Sequence, residues 1–384
     1  MAQSPNILKD GEISPLIIKA LMNLGGSGTI EQIFEQINLI LNLQDKNKEQ
    51  NIKNRLSLVK KDLEKSGLIK NIGWDKWSLS SNYQNSNEYL IPTKIYEKWS
   101  LTTKANAMNQ FLQDTSITPE ELDKYEKTIK RKKQIILAGS PGTGKTFIAQ
   151  KFAKYLTSPQ DGYVDLVQFH PSYTYEDFMR GLKPEIKDGS LTYNYAEGRF
   201  IQFCEKAQTK YQDLPCVFII DEINRANISQ VFGELMYLLE YRNEKLTLSS
   251  GKTFTIPDNV LIIGTMNTAD RSISLIDHAL RRRFAFIKVT PNYQSLRNKF
   301  RDSDFPTEKL IAVLEGLNQK ICDAMGSKDY ELGTSFFMTD NLSEEIEDIW
   351  QMEVEPYLEE YFFDNQSQEI IESFRWINVQ KQIY

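Results

Sequence analysis

The sequence predicts an α/β fold: a parallel sheet covered by helices, closed by a helical C-terminal region and preceded by a small, mostly helical unit. Three observations carry this. Between residues 134 and 290, apolar runs of strand length alternate with helical patterns, the signature of a parallel sheet with crossover helices. The first run, Ile135–Ala138, leads into the glycine-rich stretch Gly139-Ser140-Pro141-Gly142-Thr143-Gly144-Lys145-Thr146 and then into helical spacing (Phe147, Ile148, Phe152, Ala153, Leu156). A later run, Cys216–Ile220, delivers the acidic pair Asp221-Glu222 at its carboxyl end.

Taken in order, residues 12–79 read as three helices and a hairpin. Leu16, Ile17, Ala20, Leu21 and Leu24 recur at helical spacing until Gly25-Gly26. Thr29 is the expected N-cap of a second helix with Ile30, Ile33, Phe34 and Ile37 on one face. Ile52, Leu56, Val59 and Leu63 form the stripe of a third, ended by Gly67, and its other face carries Lys53, Asn54, Ser57, Lys60, Lys61 and Lys65. Leu68–Leu79 reads as two short strands around a turn. This order is that of a winged helix, assigned to residues 1–80.

Residues 81–130 read as a linker, opened by the polar run Ser80–Asn87 and closed by a charged lead-in helix up to Lys133. The strands expected in the 131–290 core are Ile135–Ala138, Val164–Phe169, Cys216–Ile220, Val260–Thr265 and Phe284–Val289. Gly181–Tyr195 interrupts them with a hairpin about Lys187-Asp188-Gly189. Residues 291–384 read as a helical lid, with helices at Lys309–Ala324 and Glu345–Phe362.

Composition narrows the function classes. A hydrophobic content of 40%, a charged content of 26% and a net charge of −6 describe an ordinary globular protein. That charge argues against a chain that coats nucleic acid along its whole surface but leaves room for a local basic patch. Cys204, Cys216 and Cys322 lack metal-ligand spacing and there are two histidines, so no zinc site is expected. With no signal-peptide pattern and no long apolar run, the expected setting is reducing and cytoplasmic, without a membrane span.

The strand–loop–helix context makes Gly139–Thr146 a P-loop. Its glycines let backbone N–H groups converge on β- and γ-phosphates at a helix N-terminus. Lys145 is placed to reach phosphate oxygens, and the Thr146 hydroxyl to join a Mg²⁺ shell. Asp221 is expected to hold the metal through water and Glu222 to polarise the attacking water. Asn267, at the tip of the next strand, fits a sensor of the γ-phosphate. Arg281-Arg282-Arg283, just before the last strand, read either as a solvated charge run or, in a ring, as a finger onto a neighbour's γ-phosphate.

Several phrases resemble those of the McrB-like branch of AAA+ proteins, GTP-hydrolysing motors of modification-dependent restriction systems. They are Val167–Phe178, Ile220–Asn227, Val231–Leu235 and above all Gly264-Thr265-Met266-Asn267-Thr268-Ala269-Asp270-Arg271-Ser272. The resemblance spans residues 130–365. It implies an AAA+ core with a helical lid, GTP (or ATP) as substrate with Mg²⁺, a hexameric ring and a separate McrC-like nuclease subunit. By position, it implies that Arg225, Arg282 and Arg283 act at the subunit interface. It further implies that Asn267, Asp270 and Arg271 position the water and link neighbouring sites, and that the hairpin lies near the pore. Asn267-Thr268-Ala269-Asp270 mimics a guanine-reading NxxD spacing, but its strand-tip place fits a sensor better, so guanine preference rests on the resemblance alone. Gly333-Thr334-Ser335-Phe336-Phe337 departs from the family, with threonine and phenylalanine where histidine and tyrosine are frequent.

The N-terminal unit is similar to the winged helix of Mrr-type restriction endonucleases. From Lys46 to Lys76 there are nine basic and four acidic residues, a balance suited to phosphate contacts. Trp74 and Trp77 are read either as DNA contacts or as packing of the wing, and the unit itself as DNA-binding or protein-docking. The combined expectation is a DNA-recognising NTPase subunit that carries no nuclease of its own. A MoxR-type protein-remodelling ATPase and a nucleotide-gated DNA or phage sensor remain the alternatives.

Overall fold

The computed structural model describes residues 10–41, 69–73, 76–79, 93–158, 162–187, 190–212, 214–269, 278–362 and 368–384, with single positions at Leu56, Lys60, Leu63 and Glu64. The chain divides between Asn106 and Ala107 into two compact units.

In the first unit, α1 (Asp10–Asn23) ends at Gly25 and Gly26, whose positive φ angles of 74° and 93° let their N–H groups turn back to Met22 and Leu21 carbonyls. Thr29 ends a three-residue strand, β1 (Ser27–Thr29), and also caps α2 (Ile30–Leu41). Its hydroxyl accepts from the Gln32 N–H at 3.2 Å while Gln32 Oε1 accepts from the Thr29 N–H, a reciprocal capping box. β2 (Ile69–Gly73) and β3 (Lys76–Leu79) form the hairpin, and β1 adds to β3 to give an antiparallel sheet in the order β1-β3-β2. Leu16, Ile17, Leu21, Ile33, Ile37, Leu56, Leu63 and Trp77 are buried together beneath that sheet. Trp77 is therefore a core residue, with Lys60 Nζ 5.3 Å from its ring centre. Trp74, Lys53, Lys61 and the rest of the third helical stripe lie outside the described residues.

The second unit is built on five parallel strands, β4 (Gln134–Gly139), β5 (Tyr163–Gln168), β8 (Cys216–Asp221), β11 (Val260–Asn267) and β12 (Ala285–Lys288), with β9 (Leu246–Thr247) and β10 (Thr253–Phe254) a short antiparallel pair apart from them. Their order is β12-β4-β11-β8-β5. β4 and β8 are buried along their whole length, as central parallel strands covered on both faces must be. Strand alternation sorts their side chains. Ile136, Phe218 and Ile220 join Phe178, Phe200 and Phe232 on one face, while Ile135, Leu137, Val217 and Ile219 join Phe111, Tyr125 and Phe152 on the other.

That second cluster changes the reading of residues 81–130. The end of α3 (Thr93–Thr115) and the whole of α4 (Pro119–Lys132) are not a lead-in from 107 onward but a covering layer of the sheet. Phe111, Ile117, Leu122, Tyr125 and Ile129 are all buried against it. α4 opens on a capping box between Thr118 and Glu121 and closes at Lys133 in a left-handed turn.

β6 (Arg180–Lys187) and β7 (Ser190–Glu197) form the expected hairpin; its turn residues Asp188 and Gly189 are not among the described ones. The register pairs Leu182 with Tyr195, Pro184 with Tyr193 and Ile186 with Leu191, so one face is an apolar ladder. Leu182, Ile186, Leu191, Tyr193 and Tyr195 are all exposed.

At the opposite end from the strand tips, Arg242 follows α5 (Leu235–Glu240), partly buried, donating to the Val260 carbonyl at 2.9 Å and to Gln134 Oε1 at 2.7 Å. Burial lowers its pKa to about 10. Gln134 in turn donates to the Leu239 and Arg283 carbonyls, so one buried cluster fixes β4, β11 and both arginine-bearing segments. Arg242→Met should lower stability by about 3 kcal/mol, seen as a fall in the urea midpoint with an unchanged slope.

The C-terminal region has its own core around α6 (Thr307–Met325), including Leu310, Leu314, Leu317, Trp350 and Trp376. The single helix expected at Glu345–Phe362 is two, Leu342–Ile349 and Glu355–Phe362, joined by a π turn at Trp350–Val354. Pro356 explains the wider turn, since it has no N–H for the Met352 carbonyl. Among the described residues no helix is long and apolar enough to cross a membrane, and the three cysteines are free thiols.

Candidate functional site

The carboxyl ends of β4, β11 and β8 meet at one edge of the sheet. Register places Asn267 beside Gly139 and Gly264 beside Ile220. Parallel α/β sheets bind ligands at this edge.

The loop after β4 needs its glycines for conformation and for space. Gly142 and Gly144 hold φ angles of 75° and 82°, which residues with a Cβ rarely adopt. A Cβ on Gly139 would lie 2.1 Å from the Val289 carbonyl oxygen of the adjoining segment. Thr143 Oγ1 and Lys145 Nζ both donate to the Ser140 carbonyl, at 2.8 and 2.7 Å, which curls the loop on itself. The helix Lys145–Thr157 starts from Gly144, so its first N–H groups face the loop.

Thr146 and Asp221 are brought together: Thr146 Oγ1 donates to Asp221 Oδ1 at 2.6 Å. A hydroxyl and a carboxylate are hard oxygen donors of the kind Mg²⁺ takes, with phosphates and water completing its shell. Among the described residues no cluster of three or more His, Cys, Asp or Glu could cage a metal. A nucleotide-borne Mg²⁺ fits this donor set, whereas an all-protein metal centre does not.

Glu222 follows in a left-handed conformation, φ 53° and ψ 47°. For a residue with a side chain this costs about 1–2 kcal/mol, and such strain collects at functional positions. Its N–H donates to Thr265 Oγ1 at 3.0 Å, and its carboxylate lies 3.6 Å from Arg225 Nε. Asn267 ends β11 with its carbonyl accepting from Asn224 Nδ2 at 3.1 Å and its Oδ1 from the Ala269 N–H at 3.3 Å. Asp270 and Arg271 lie outside the described residues.

The arginines stand apart from this group. Arg281, Arg282 and Arg283 end the helix His278–Arg283, immediately before β12. Ala285 is in register with Ile135, at the start of the strand whose far end carries the P-loop. They therefore sit at the opposite edge of the sheet from their own loop. Arg282 is 66% exposed and lies 3.5 Å from Glu240; Arg283 is 11% exposed and lies 3.0 Å from the same carboxylate oxygen.

A cavity of about 800 Å³ opens beside the P-loop. Gly142–Gly144 line one side, the Ser116–Tyr125 stretch and Pro291–Ser295 the others, with Thr334 and Ser335 closing it. Its size suits a base and ribose next to a phosphate loop. The lid touches the loop through its backbone, with Gly333 N–H donating to Pro141 at 3.2 Å and Ser335 N–H to Gly142 at 3.0 Å. A Cβ on Gly333 would come within 1.9 Å of the Gly142 carbonyl carbon. The Phe336 ring also packs on Gly142, where an added Cβ would lie 2.9 Å from it, so the contact is made by side chain as well as main chain.

Sequence reasoning missed Thr265, Asn224 and the cavity wall. Thr265 did leave a signal, a hydroxyl in an otherwise apolar strand and two residues before Asn267.

Fold and site together define an AAA+ domain of the P-loop class. Residues 134–284 match the model of the AAA domain of the dynein-related subfamily, and residues 309–369 that of the McrB alpha-helical lid domain. Residues 134–369 belong to the McrB-like AAA+ proteins. The chain is 40% identical over 277 residues to the type IV methyl-directed restriction enzyme EcoKMcrB subunit of Escherichia coli (strain K12), covering 66% of this chain and 59% of that one. It is 28% identical over 192 residues to the type II restriction enzyme BsuMI component YdiS of Bacillus subtilis (strain 168), covering 39% of this chain and 55% of that one. The chain thus spans less than two thirds of the length of either relative.

Proposed function

We propose that this chain hydrolyses the β–γ bond of a nucleoside triphosphate, with Mg²⁺, in a site completed by a neighbouring copy. The observation that carries the reading is the separation of charge across the sheet. Thr146, Asp221 and Glu222 gather at one edge, and Arg282 projects from the other. An arginine that cannot serve its own loop can serve the next protomer's in a ring.

In this reading Gly139–Thr146 cradle the phosphates, with Lys145 exchanging the Ser140 carbonyl for phosphate oxygen. Thr146 and Asp221 would hold Mg²⁺, which would offset the negative charge of the phosphates. Glu222 takes the proton of the attacking water, and Asn267 orients water and γ-phosphate. Arg282, with Arg283 and Arg225 at the interface, stabilises the charge that develops on the transferring group. Asp270 and Arg271 link adjacent sites. GTP is the preferred substrate on the likeness of Gly264–Ser272 to the McrB signature, with ATP the alternative.

The larger role is that of a cytoplasmic motor subunit in a restriction system: a hexamer, DNA held by residues 1–80, and a separate McrC-like nuclease. The apolar face of the β6–β7 hairpin suits a place near the pore. Steady-state turnover of GTP and ATP, with and without DNA and across protein concentration, tests the reading. Turnover that rises with assembly supports it; ATP preference with indifference to DNA favours a protein-remodelling machine of the MoxR type. For the N-terminal unit, replacing Lys53, Lys60 and Lys61 by alanine should shallow the salt dependence of DNA binding by about one unit of slope per lost phosphate contact. An unchanged slope places DNA elsewhere.

A further inference from the structure

We propose that Thr265 is a positioning residue for hydrolysis, its one hydroxyl setting both acids of the site. The inference rests on the hydrolytic reading above. Thr265 is 1% exposed in β11. Its Oγ1 donates to Asp221 Oδ1 at 2.6 Å and accepts from the Glu222 N–H at 3.0 Å. A hydroxyl offers one donor and two acceptor sites, so a single oxygen serves both partners without conflict. The two bonds differ in purpose. The first aims the carboxylate that also meets Thr146. The second ties down the backbone of Glu222 where it holds the left-handed conformation.

Relaxation of that conformation would swing the Glu222 carboxylate away from the water it has to polarise. Asn224 ties the far side of the same turn to β11 through the Asn267 carbonyl. The sensor strand therefore grips the turn 221–224 at both ends, and its position sets where the base points. Thr265 touches neither substrate nor metal in this account; it acts through Asp221 and Glu222.

Thr265→Val keeps size and branching and deletes the hydroxyl. It should lower kcat by about 10²-fold, the usual effect of a misplaced catalytic group, with KM near that of the parent. A readout independent of turnover is the Mg²⁺ dependence of binding a fluorescent, non-hydrolysable GTP analogue. Its midpoint should rise by about tenfold, as for other groups that orient metal ligands. Thr265→Ser should restore most of both. At saturating Mg²⁺ in the Glu222→Gln background, Thr265→Val should add little further loss of kcat, since one acid it positions is already gone and excess metal offsets the effect on the other. Parental kcat in the valine variant, equal losses in valine and serine variants, or multiplicative losses with Glu222→Gln would overturn the proposal. So would hydroxyl-less variants (valine and alanine) that fail to fold while serine retains the rate, because the hydroxyl would then serve the fold. Should Glu222→Gln alone hydrolyse at the parental rate, the hydrolytic reading itself fails, whatever Thr265 does.

Discussion

Replacing Arg282 by alanine lowers nucleotide turnover by about 10³–10⁵-fold, the range of an arginine finger, while the same chain still binds nucleotide and Mg²⁺. The separation follows from position. Arg282 ends a helix at the amino edge of the sheet, and the groups proposed to grip phosphate in the same chain, Lys145 among them, lie at the carboxyl edge. On the proposed reading, binding is a property of one chain and rate a property of two. Arg282 is the better candidate than Arg283 for the reaching group, because 66% of its side chain is exposed against 11%. Both contact Glu240, so the finger must leave that carboxylate to act. Arg283→Ala should instead show a mixed effect, with some loss of stability because its side chain is largely buried and paired with Glu240. Nucleotide binding by fluorescence and turnover by phosphate release separate the two quantities. Equal loss of binding and rate in Arg282→Ala would place the residue in its own pocket.

Glu222→Gln should reduce turnover by about 10²–10⁴-fold, the span attributed to a general base, and leave nucleotide affinity near the parental value. The amide keeps shape but cannot take the proton. The backbone strain at φ 53° is unchanged by this substitution, as is the bond from its N–H to Thr265. The loss therefore reports the carboxylate and not a shifted turn. This variant also discriminates among functions. A motor loses biological activity with hydrolysis, whereas a nucleotide-gated sensor keeps it in a chain that binds and does not turn over.

Much of the architecture was legible because its determinants are local. Ile135–Ala138 and Cys216–Ile220 are unbroken apolar runs, and runs of that kind become central strands buried on both faces. The P-loop was legible for a similar reason: Gly142 and Gly144 stand where the backbone needs positive φ. What escaped depends on contacts between distant segments. Phe111 and Leu122 lie in stretches of mixed composition, and only the sheet they cover marks them as core. β1 is three residues long and carries no strand pattern, so the sequence marks Thr29 only as a cap, although it is also paired with Lys76. Thr265 sat inside a phrase read for Asn267, and its role appears once β8 and β11 are neighbours. Trp77 is readable in sequence either as a DNA contact or as packing of the wing, and its burial decides for packing.

A subunit-mixing assay puts the shared site to the most direct trial. One chain carries Glu222→Gln, the other Arg282→Ala, and each alone should be nearly inactive. Where an arginine-deficient chain presents its intact loop to a neighbour that retains Arg282, a whole site is rebuilt. Turnover in the mixture should rise well above the sum of the separate rates. Mixed assemblies that turn over no faster than that sum would contradict catalysis across the interface.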